Sequence, residues 1–489
     1  MAKFLVIEYS LQENYFMISS SLKNQHLMCR AAFGPMPQNF QELEKVSTSE
    51  LLKYLQKKSH LQPTFLKIAD NTTDGLIKGV QDLGRTEKLT REQKKQQRKQ
   101  SAQDIRSLNL LWLSEMTNSE AQLREKLSLF WHGHFACRVI NIFFQQQLLD
   151  VIRHNALGHF GDLLREVSKS PAMLSFLNNQ QNRKQHPNEN FAREVMELFT
   201  MGRGNYTESD IKESARAFTG WGFNLAGEFV DRKFAHDNGS KTFLGKTGNF
   251  DGDDIIDLIL EQKATAQFIT TKIYKYFVNE EVNELHVKNL ADSFYASNYN
   301  IGELMENIFS SEWFYEEKNI GTHIKTPVEL LVGIRRMLPM EMAKPEIQLL
   351  FQRTMGQYLF FPPNVAGWPG GKNWIDSTSL MLRMRLPQIM TMGKRFTLTP
   401  KSDDDVMMGK NQPKEDVDLL IKTDWQPVIN AFAKTSRDQL PGSITRFLIQ
   451  SKSAVPETIL KRYADNSSRD AFIQSTVLAL MSTPEYQLC

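Results

Sequence analysis

Residues 187 to 218 read PNENFAREVMELFTMGRGNYTESDIKESARAF, and this stretch decides the fold. Its apolar residues recur every three or four positions, which is the spacing of amphipathic helices. Gly202 and Gly204 are expected to end the first helix, and Thr207, three residues before Asp210, is expected to cap the second. The same spacing covers most of the chain. The sequence therefore predicts a mainly α protein, a multi-helix globular bundle.

One segment departs from helical spacing. Between residues 226 and 250, apolar and polar residues alternate around an Asn-Gly pair, which predicts one small β-hairpin insertion. The polar stretch at 401–416 is broken by Gly and Pro and predicts a linker or a mobile loop. We therefore expect an N-terminal extension, a helical core domain, this linker and a C-terminal helical segment that packs on the core, at residues 1–25, 26–400, 401–416 and 417–489.

Composition limits the classes of function. Of the 489 residues, 41% are hydrophobic and 24% charged, as in ordinary globular proteins. Lys and Arg number 59 against 56 Asp and Glu, so the net charge of +3 disfavours nucleic-acid binding through bulk positive charge. A basic tract at 85–100, with seven Lys or Arg against two Glu, is expected to be a solvated helix. Without an apparent membrane span or secretion signal, a cytoplasmic location is the default.

Several familiar signatures are absent from the sequence. The three cysteines, Cys29, Cys137 and Cys489, show no paired spacing, so neither a disulfide scaffold nor a zinc ribbon is expected. The Walker A loop, the Rossmann glycine fingerprint, HExxH and GxSxG are also missing. P-loop hydrolysis, nicotinamide chemistry, zincin proteolysis and α/β-hydrolase chemistry therefore lose their usual support.

The strongest candidate for chemistry is the helix that begins near residue 187. At about 100° per residue, Asn190, Glu194 and Glu197 share one face of this helix, beside an apolar face. If the helix is buried all round, the two carboxylates must share a proton, recruit a cation such as Arg193, or bind a metal. The alternative is a plain amphipathic helix whose acids face water.

Two other segments contain candidate metal ligands. His132 and His134 lie in the aromatic segment EKLSLFWHGHFA, and both can reach one ion only if the glycine between them bends or ends the helix. The alternative is one core histidine that donates to a carbonyl beside one exposed histidine. His236 and Asp237 lie at the Asn-Gly turn, where functional polar groups are often displayed, although turn formation alone explains an aspartate there.

The chain resembles a bacterial family known as domain of unknown function 1800. The resemblance runs from HLMCRAAFGP at residue 26 to STPEYQL at 482–488. Six ordered blocks carry it: EKLSLFWHGHFA, RHNALGHFGDLLREVSKSPAML, PNENFAREVMELFTMGRGNYTESDIKESARAFTGW, HDNGSKTFLG, IKTPVELLVG and PPNVAGWPGGKNWIDS. No reaction is established for this family, so the resemblance implies no activity.

The resemblance does imply that the polar blocks are the hallmark of the family. The residues concerned are His132, His134, Asn188, Glu189, Asn190, Arg193, Glu194, Glu197, His236, Asp237, Trp368 and Trp374. Similar proteins tend to be encoded beside a second uncharacterised family that resembles sulfatases and phosphatases, which implies a protein partner of that kind. Many similar proteins also begin with an export signal that this chain lacks, which leaves export open.

Two functions from different classes fit these patterns. In the first, a metal-dependent hydrolase or oxygenase, the histidines, Asp237 and the paired glutamates converge on zinc, manganese or non-haem iron. Glu194 and Glu197 supply acid–base catalysis there, and the loop from Trp368 to Trp374 walls the pocket. In the second, a non-catalytic helical protein docks a partner, and the same polar residues form a buried structural network in which Arg193 or Arg216 neutralises the glutamates.

Overall fold

The computed structural model describes residues 19–69, 90–224, 226–392, 420–451 and 455–489. Helices dominate these residues, which confirms the prediction of a mainly α fold. In chain order the α-helices are α1 Ser20–Arg30, α2 Phe40–Leu43, α3 Thr48–Ser59, α4 Arg91–Asn118, α5 Gln122–His134, α6 Ile142–Asn155, α7 Phe160–Lys169, α8 Pro171–Phe176, α9 Glu189–Glu194, α10 Glu208–Ala217, α11 Gly252–Leu260, α12 Lys263–Phe277, α13 Glu284–Ala296, α14 Ile301–Ser310, α15 Pro327–Met337, α16 Ile347–Met355, α17 Ser377–Met392, α18 Gln426–Ala431, α19 Leu440–Leu448, α20 Glu457–Tyr463 and α21 Arg469–Met481.

Local sequence signals set several of these helix ends. Thr207 accepts a hydrogen bond from the backbone N–H of Asp210, whose carboxylate bonds back to Thr207, as the spacing predicts. Gly202 and Gly204 have positive φ angles of 74° and 88°, a conformation that glycine adopts without a steric penalty. Ser170 caps α8, and Pro171 stands at the first position of this helix.

The strands form three short antiparallel pairs within the described residues, rather than the one predicted hairpin. They are β1 Trp221–Phe223 with β2 Phe229–Asp231, β3 Lys241–Phe243 with β4 Lys246–Gly248, and β5 Met340–Met342 with β6 Ile421–Thr423. The turn between β3 and β4 is Leu244–Gly245, with φ angles of 48° and 78°, as a type I′ turn requires. Gly239, expected at a hairpin tip, instead donates its backbone N–H to Asp237 Oδ1 at 2.8 Å, because a side-chain turn forms there.

The predicted domain boundaries can be compared with the structure at three positions. Helix α1 runs across the expected boundary between residues 25 and 26. Strand β6 of the C-terminal segment pairs with β5 of the expected core. The linker at 401–416 and residues 1–18 lie outside the described residues. The division into domains itself stays a prediction.

The central element is α5, in which every residue except Gly133 is buried. It packs against α3, α4 and α6 and carries Trp131, His132 and His134 into the core. Its Glu125 pairs with the fully buried Arg153 of α6 at 2.9 Å. The described part of the basic tract begins α4 and is mostly exposed, as expected of a solvated helix. None of the helices in the described ranges combines the length and apolar character needed to span a bilayer.

Candidate functional site

The carboxylate pair lies where α9 passes into a π-helix, Val195–Thr200. Asn188 caps α9 by accepting a hydrogen bond from the backbone N–H of Asn190 at 3.0 Å. The amide of Asn190 donates to the carbonyl of Leu177 at 3.2 Å, so it does not face the glutamates. π-helices occur often at functional sites. The two asparagines therefore have structural roles in this segment, and the two glutamates remain as its candidate catalytic residues.

Glu197 is held by two side chains on the following loop. Arg203 donates its Nε–H to Oε1 at 2.6 Å, and the Tyr206 hydroxyl donates to Oε2 at 3.3 Å. Burial and the adjacent carboxylate raise the pKa of Tyr206 to about 12, so this hydroxyl keeps its proton at neutral pH. The two hydrogen bonds fix the orientation of the Glu197 carboxylate.

Glu194 differs from its neighbour, because it makes no hydrogen bond or ion pair with any described residue. Its side chain is half-buried. Partial burial and then the charge of Glu197 raise the pKa of Glu194 above its ordinary value. The adjacent Arg193 is engaged elsewhere, since it bonds Glu189 at 3.2 Å and Glu208 at 2.8 Å. The ion pairs of Arg193 and Arg216 are with other carboxylates, although the charge of Arg193 opposes the rise in the pKa of Glu194.

His132 is a core residue with a bonded ring. The backbone N–H of Phe360 donates to its Nε2 at 3.2 Å. The imidazole lies 5.0 to 5.5 Å, centroid to centroid, from the rings of Trp112, Phe360 and Trp368. Burial lowers the pKa of His132 to about 3, so the ring is neutral at physiological pH.

His134 points to a different part of the core and holds the end of the π-helix. Its Nε2–H donates to the carbonyl of Phe199 at 3.1 Å, and its Nδ1 accepts from Lys272 Nζ at 3.2 Å. Lys272 also donates to the carbonyl of Leu198 at 3.0 Å. Burial lowers the pKa of Lys272 to about 8. The two residues bind carbonyls that the helix end leaves free.

The segment with His236 and Asp237 is tied to α10. Asp237 accepts two hydrogen bonds from Arg216, at 2.8 and 3.2 Å, and Arg216 also pairs with Glu213. The bonds from Arg216 lower the pKa of Asp237. The ring of the buried His236 donates its Nδ1–H to the carbonyl of Thr219 at 2.9 Å. Both side chains therefore fix the loop against the helix.

The loop with the two tryptophans covers His132. Gly367 lies against α5 so closely that an added Cβ would stand 2.4 Å from the carbonyl oxygen of Gly133. This contact and a φ angle of 84° require glycine there. Trp368 is half-buried over the imidazole, and Trp374 is buried. The loop therefore covers the imidazole of His132, and its role as the wall of a catalytic pocket stays a prediction.

The expected convergence of ligands is not found. His132 and His134 are bonded to different parts of the chain, whereas His236 and Asp237 are both bonded to the end of α10 and the residues after it. Over the described ranges, no group of three or more His, Cys, Asp or Glu side chains is arranged to hold a metal ion. The spacing in sequence could not show this, because the bonding partners come from distant segments. A bound divalent metal stays a prediction.

A family model matches residues 26–488 of the chain. The chain belongs to the DUF1800 family. The family is described as a protein of unknown function, so membership in DUF1800 assigns no reaction. No curated protein and no solved structure matches this DUF1800 chain.

Sequence reasoning missed a second group of buried charged side chains in this DUF1800 protein. Glu329 at the start of α15 pairs with Lys126 of α5 at 2.5 Å. It also accepts hydrogen bonds at 3.0 Å from His323 Nε2–H and from the hydroxyl of Tyr276. Burial alone would raise the pKa of Glu329, but the charge of Lys126 holds this pKa well below its ordinary value.

A signal for this group was present in the sequence. Thr326 and Glu329 lie within the family block IKTPVELLVG, and Lys126 lies within EKLSLFWHGHFA. Thr-x-x-Glu before an apolar run is the pattern of an ordinary capping box, and the capping box is indeed formed. Because capping already explains the sequence pattern, the pattern does not show that the carboxylate of Glu329 is also fully buried.

Proposed function

We propose that this protein is a hydrolase in which Glu194 and Glu197 act as an acid–base pair. The observation that carries the proposal is the contrast between the two carboxyl groups. Glu194 has no bonding partner among the described residues and a raised pKa, whereas Glu197 is bonded by an arginine and a tyrosine. A carboxyl group with a raised pKa suits a catalytic acid, and a neighbouring carboxyl group that is oriented by fixed hydrogen bonds suits a catalytic base.

The roles follow from the raised pKa of Glu194 and from the hydrogen bonds that orient Glu197. Glu194 holds a proton to a higher pH than an ordinary glutamate, so it donates a proton to the oxygen of a leaving group. Glu197, oriented by Arg203 and Tyr206, accepts a proton from an attacking water. Both glutamates are partly exposed on the face of the helix, so they are in contact with solvent water. The substrate class is one whose leaving group is an alcohol oxygen.

A metal enters this proposal only through the two glutamates. His132, His134, His236 and Asp237 each bond another part of the chain. Two carboxylates with bound waters suit a hard cation such as Mn²⁺. Metal dependence is therefore a separate arm of the test rather than a premise of the mechanism.

The decisive measurement is the titration of Glu194 in the intact protein. Carbon-13 NMR of side-chain-labelled glutamate, assigned by loss of one signal in Glu194→Gln, should give a pKa above about 4.3, the ordinary value. Glu208→Gln is the matched control, because Glu208 is exposed and pairs with Arg193. A Glu194 signal that titrates at or below the ordinary value would remove the basis of the proposal.

Activity provides the second measurement. A panel of chromogenic glycosides and esters, assayed from pH 4 to 9 with and without EDTA or Mn²⁺, should reveal turnover in the wild type. Glu194→Gln and Glu197→Gln should each lower kcat/KM by about 10²- to 10⁴-fold, which is the usual contribution of an acid–base group. Glu208→Gln should retain full activity. Equal activity in all three variants would show that the pair is not catalytic.

An open groove supports a second candidate function, the docking of a protein partner. The groove has a volume of about 640 Å³ and is lined by Gln181, His186, Pro187, Asn188, Glu189, Asn190 and Arg193. Near it, the side chain of Phe234 is 76% exposed. It lies on a turn in which the carbonyl of Ala235 accepts a hydrogen bond from the backbone N–H of Lys184. Exposed aromatic side chains are common in binding surfaces. A protein resembling sulfatases or phosphatases, coexpressed with this chain, should copurify with the wild type and not with Phe234→Ser.

A further inference from the structure

A small cavity near the buried glutamate contains two of the three cysteines. It lies between α1, α5, α15 and α19, and its volume of about 30 Å³ has room for one or two water molecules. Cys29 and Cys489 both line it, together with Lys126, Lys325 and Glu329. The two thiols are 460 positions apart in the sequence (489 − 29) but line the same small cavity.

Both cysteines are held in place by their neighbours. Cys489 exchanges two backbone hydrogen bonds with His323, at 3.0 and 2.9 Å. Lys325 donates its Nζ–H to the carbonyl of Tyr486 at 2.7 Å and further fixes this segment. Cys29 lies in the last turn of α1, next to Arg30, whose guanidinium bonds two carbonyls and one hydroxyl. The cavity is therefore a fixed feature of the packing between distant segments.

The charges around the cavity favour loss of a proton from a thiol during a reaction. Lys126, Lys325 and Arg30 contribute positive charge, and Glu329 balances one of them. Burial raises the pKa of Cys29 to about 11, and the three cations oppose this rise. Cys29 is therefore stable as a thiol, and a thiolate that forms there transiently is stabilised by the cations.

We propose that Cys29 and Cys489 form a reversible disulfide across this cavity. One cysteine thiolate attacks hydrogen peroxide, which is about the size of two water molecules, breaks the O–O bond and becomes a sulfenic acid, and the released hydroxide takes up the proton that this thiol lost. The second cysteine thiolate then attacks the sulfur of the sulfenic acid, forms the S–S bond and releases hydroxide, which takes up the second proton. The protein is thereby oxidised by two electrons, and one hydrogen peroxide is reduced to two water molecules. This inference is independent of the proposed hydrolase.

The test uses the full chain. Folded protein is incubated with one equivalent of hydrogen peroxide and then unfolded in the presence of excess alkylating agent, and its mass is measured by mass spectrometry. We expect a loss of about 2 Da and one alkylated cysteine, with a proteolytic fragment that joins the segments of Cys29 and Cys489. Cys137 is the internal control, since it is buried elsewhere in the core.

Variants sharpen the result. Cys137→Ala should lose the same 2 Da and leave no alkylated cysteine. Cys29→Ala and Cys489→Ala should form no internal disulfide. Oxidation should raise the unfolding temperature of the wild type and of Cys137→Ala only, because a link across a long loop restricts the unfolded chain. Three alkylated cysteines in the oxidised wild type, or a link that includes Cys137, would overturn the inference. The wild-type result alone decides the test, so the proposal can be overturned even if a variant fails to fold.

Discussion

Glu329 and Glu194 have the same type of side chain in opposite surroundings. Glu329 is fully buried. Its carboxylate pairs with the ammonium of Lys126 and accepts hydrogen bonds from an imidazole, a phenol and a backbone N–H, and its pKa is held well below the ordinary value. Glu194 is only half-buried and has no bonding partner in the described ranges, and its pKa is raised. The number of partners, rather than the depth of burial, therefore decides which glutamate stabilises the fold and which is free to exchange a proton.

The largest effect is expected at Glu329. Glu329→Gln keeps the size of the side chain but leaves Lys126 as an uncompensated buried charge. Breaking a buried ion pair from one side typically costs about 3–5 kcal/mol in the free energy of unfolding. Urea-induced unfolding followed by circular dichroism measures this loss.

The matched control for that variant removes both charges. Glu329→Gln with Lys126→Met should lose less stability than the sum of the two single variants, because no unpaired charge remains. In the wild type, the stabilisation from Glu329 is present above the unfolded pKa of about 4.3 and is lost as the pH falls through the lower folded pKa. A single variant within about 1 kcal/mol of the wild type would contradict the contrast with Glu194.

The next effect is expected at Lys272, which links the two regions by bonding both α5 and the π-helix. Its folded pKa of about 8 lies below the unfolded value of about 10.4. The unfolded chain therefore binds more protons between these values, and stability should rise with pH there. The slope is at most about 1.4 kcal/mol per pH unit.

The measurement for Lys272 is a difference between two proteins. Buried tyrosines also titrate at alkaline pH, so the free energy of unfolding of Lys272→Met is subtracted from that of the wild type at each pH. The difference should increase in favour of the wild type from pH 8 to pH 10. A flat or falling difference would show that the ammonium of Lys272 is not desolvated.

Helix periodicity and capping patterns were sufficient to predict most of the fold, because both act over a few residues. Thr207, with its bond to Asp210, is an example. Strands of three residues are too short to show alternation, so β1 and β2 were not separated from β3 and β4 in the sequence. The Asn-Gly pair was misleading, because an aspartate before it forms a turn of a different kind.

The candidate site was less predictable than the fold, because each polar group is settled by a distant partner. His132 receives its hydrogen bond from Phe360, 228 positions away. His134 is bonded by Lys272, which is 138 positions away. A sequence pattern shows that these imidazoles are near one another along the chain, but it does not show which distant group uses them. The two glutamates were recognised as a pair because their spacing is local.

A smaller effect of opposite sign is expected at Glu194. A raised folded pKa favours the protonated form, so the contribution of Glu194 to stability is present below about pH 4.3 and is lost as the pH rises through the folded pKa. At pH 7, Glu194→Gln should therefore raise the unfolding temperature by roughly 1 °C. At pH 4 the two proteins should unfold at nearly the same temperature.

Glu208→Gln is the control for the sign of that effect. Glu208 is exposed and its bond to Arg193 lowers its pKa, so its replacement should not stabilise the protein at pH 7. Scanning calorimetry of the two variants beside the wild type separates the cases. If Glu194→Gln unfolds at a lower temperature than the wild type at pH 7, Glu194 has a stabilising partner and its resemblance to Glu329 is closer than proposed.

The smallest change in stability is expected at Arg203, whose side chain is 85% exposed although it bonds Glu197. Exposed ion pairs contribute little to folding, so Arg203→Ala should unfold as the wild type does. The pKa of Glu194 should nevertheless rise, because the positive charge of Arg203 lowers it in the wild type. Carbon-13 NMR at low salt measures this rise, which should shrink at 1 M salt as the charges are screened. An unchanged pKa at low salt would mean that the charge of Arg203 does not act on the pair, and the pKa of Glu194 would then depend on burial, Glu197 and Arg193.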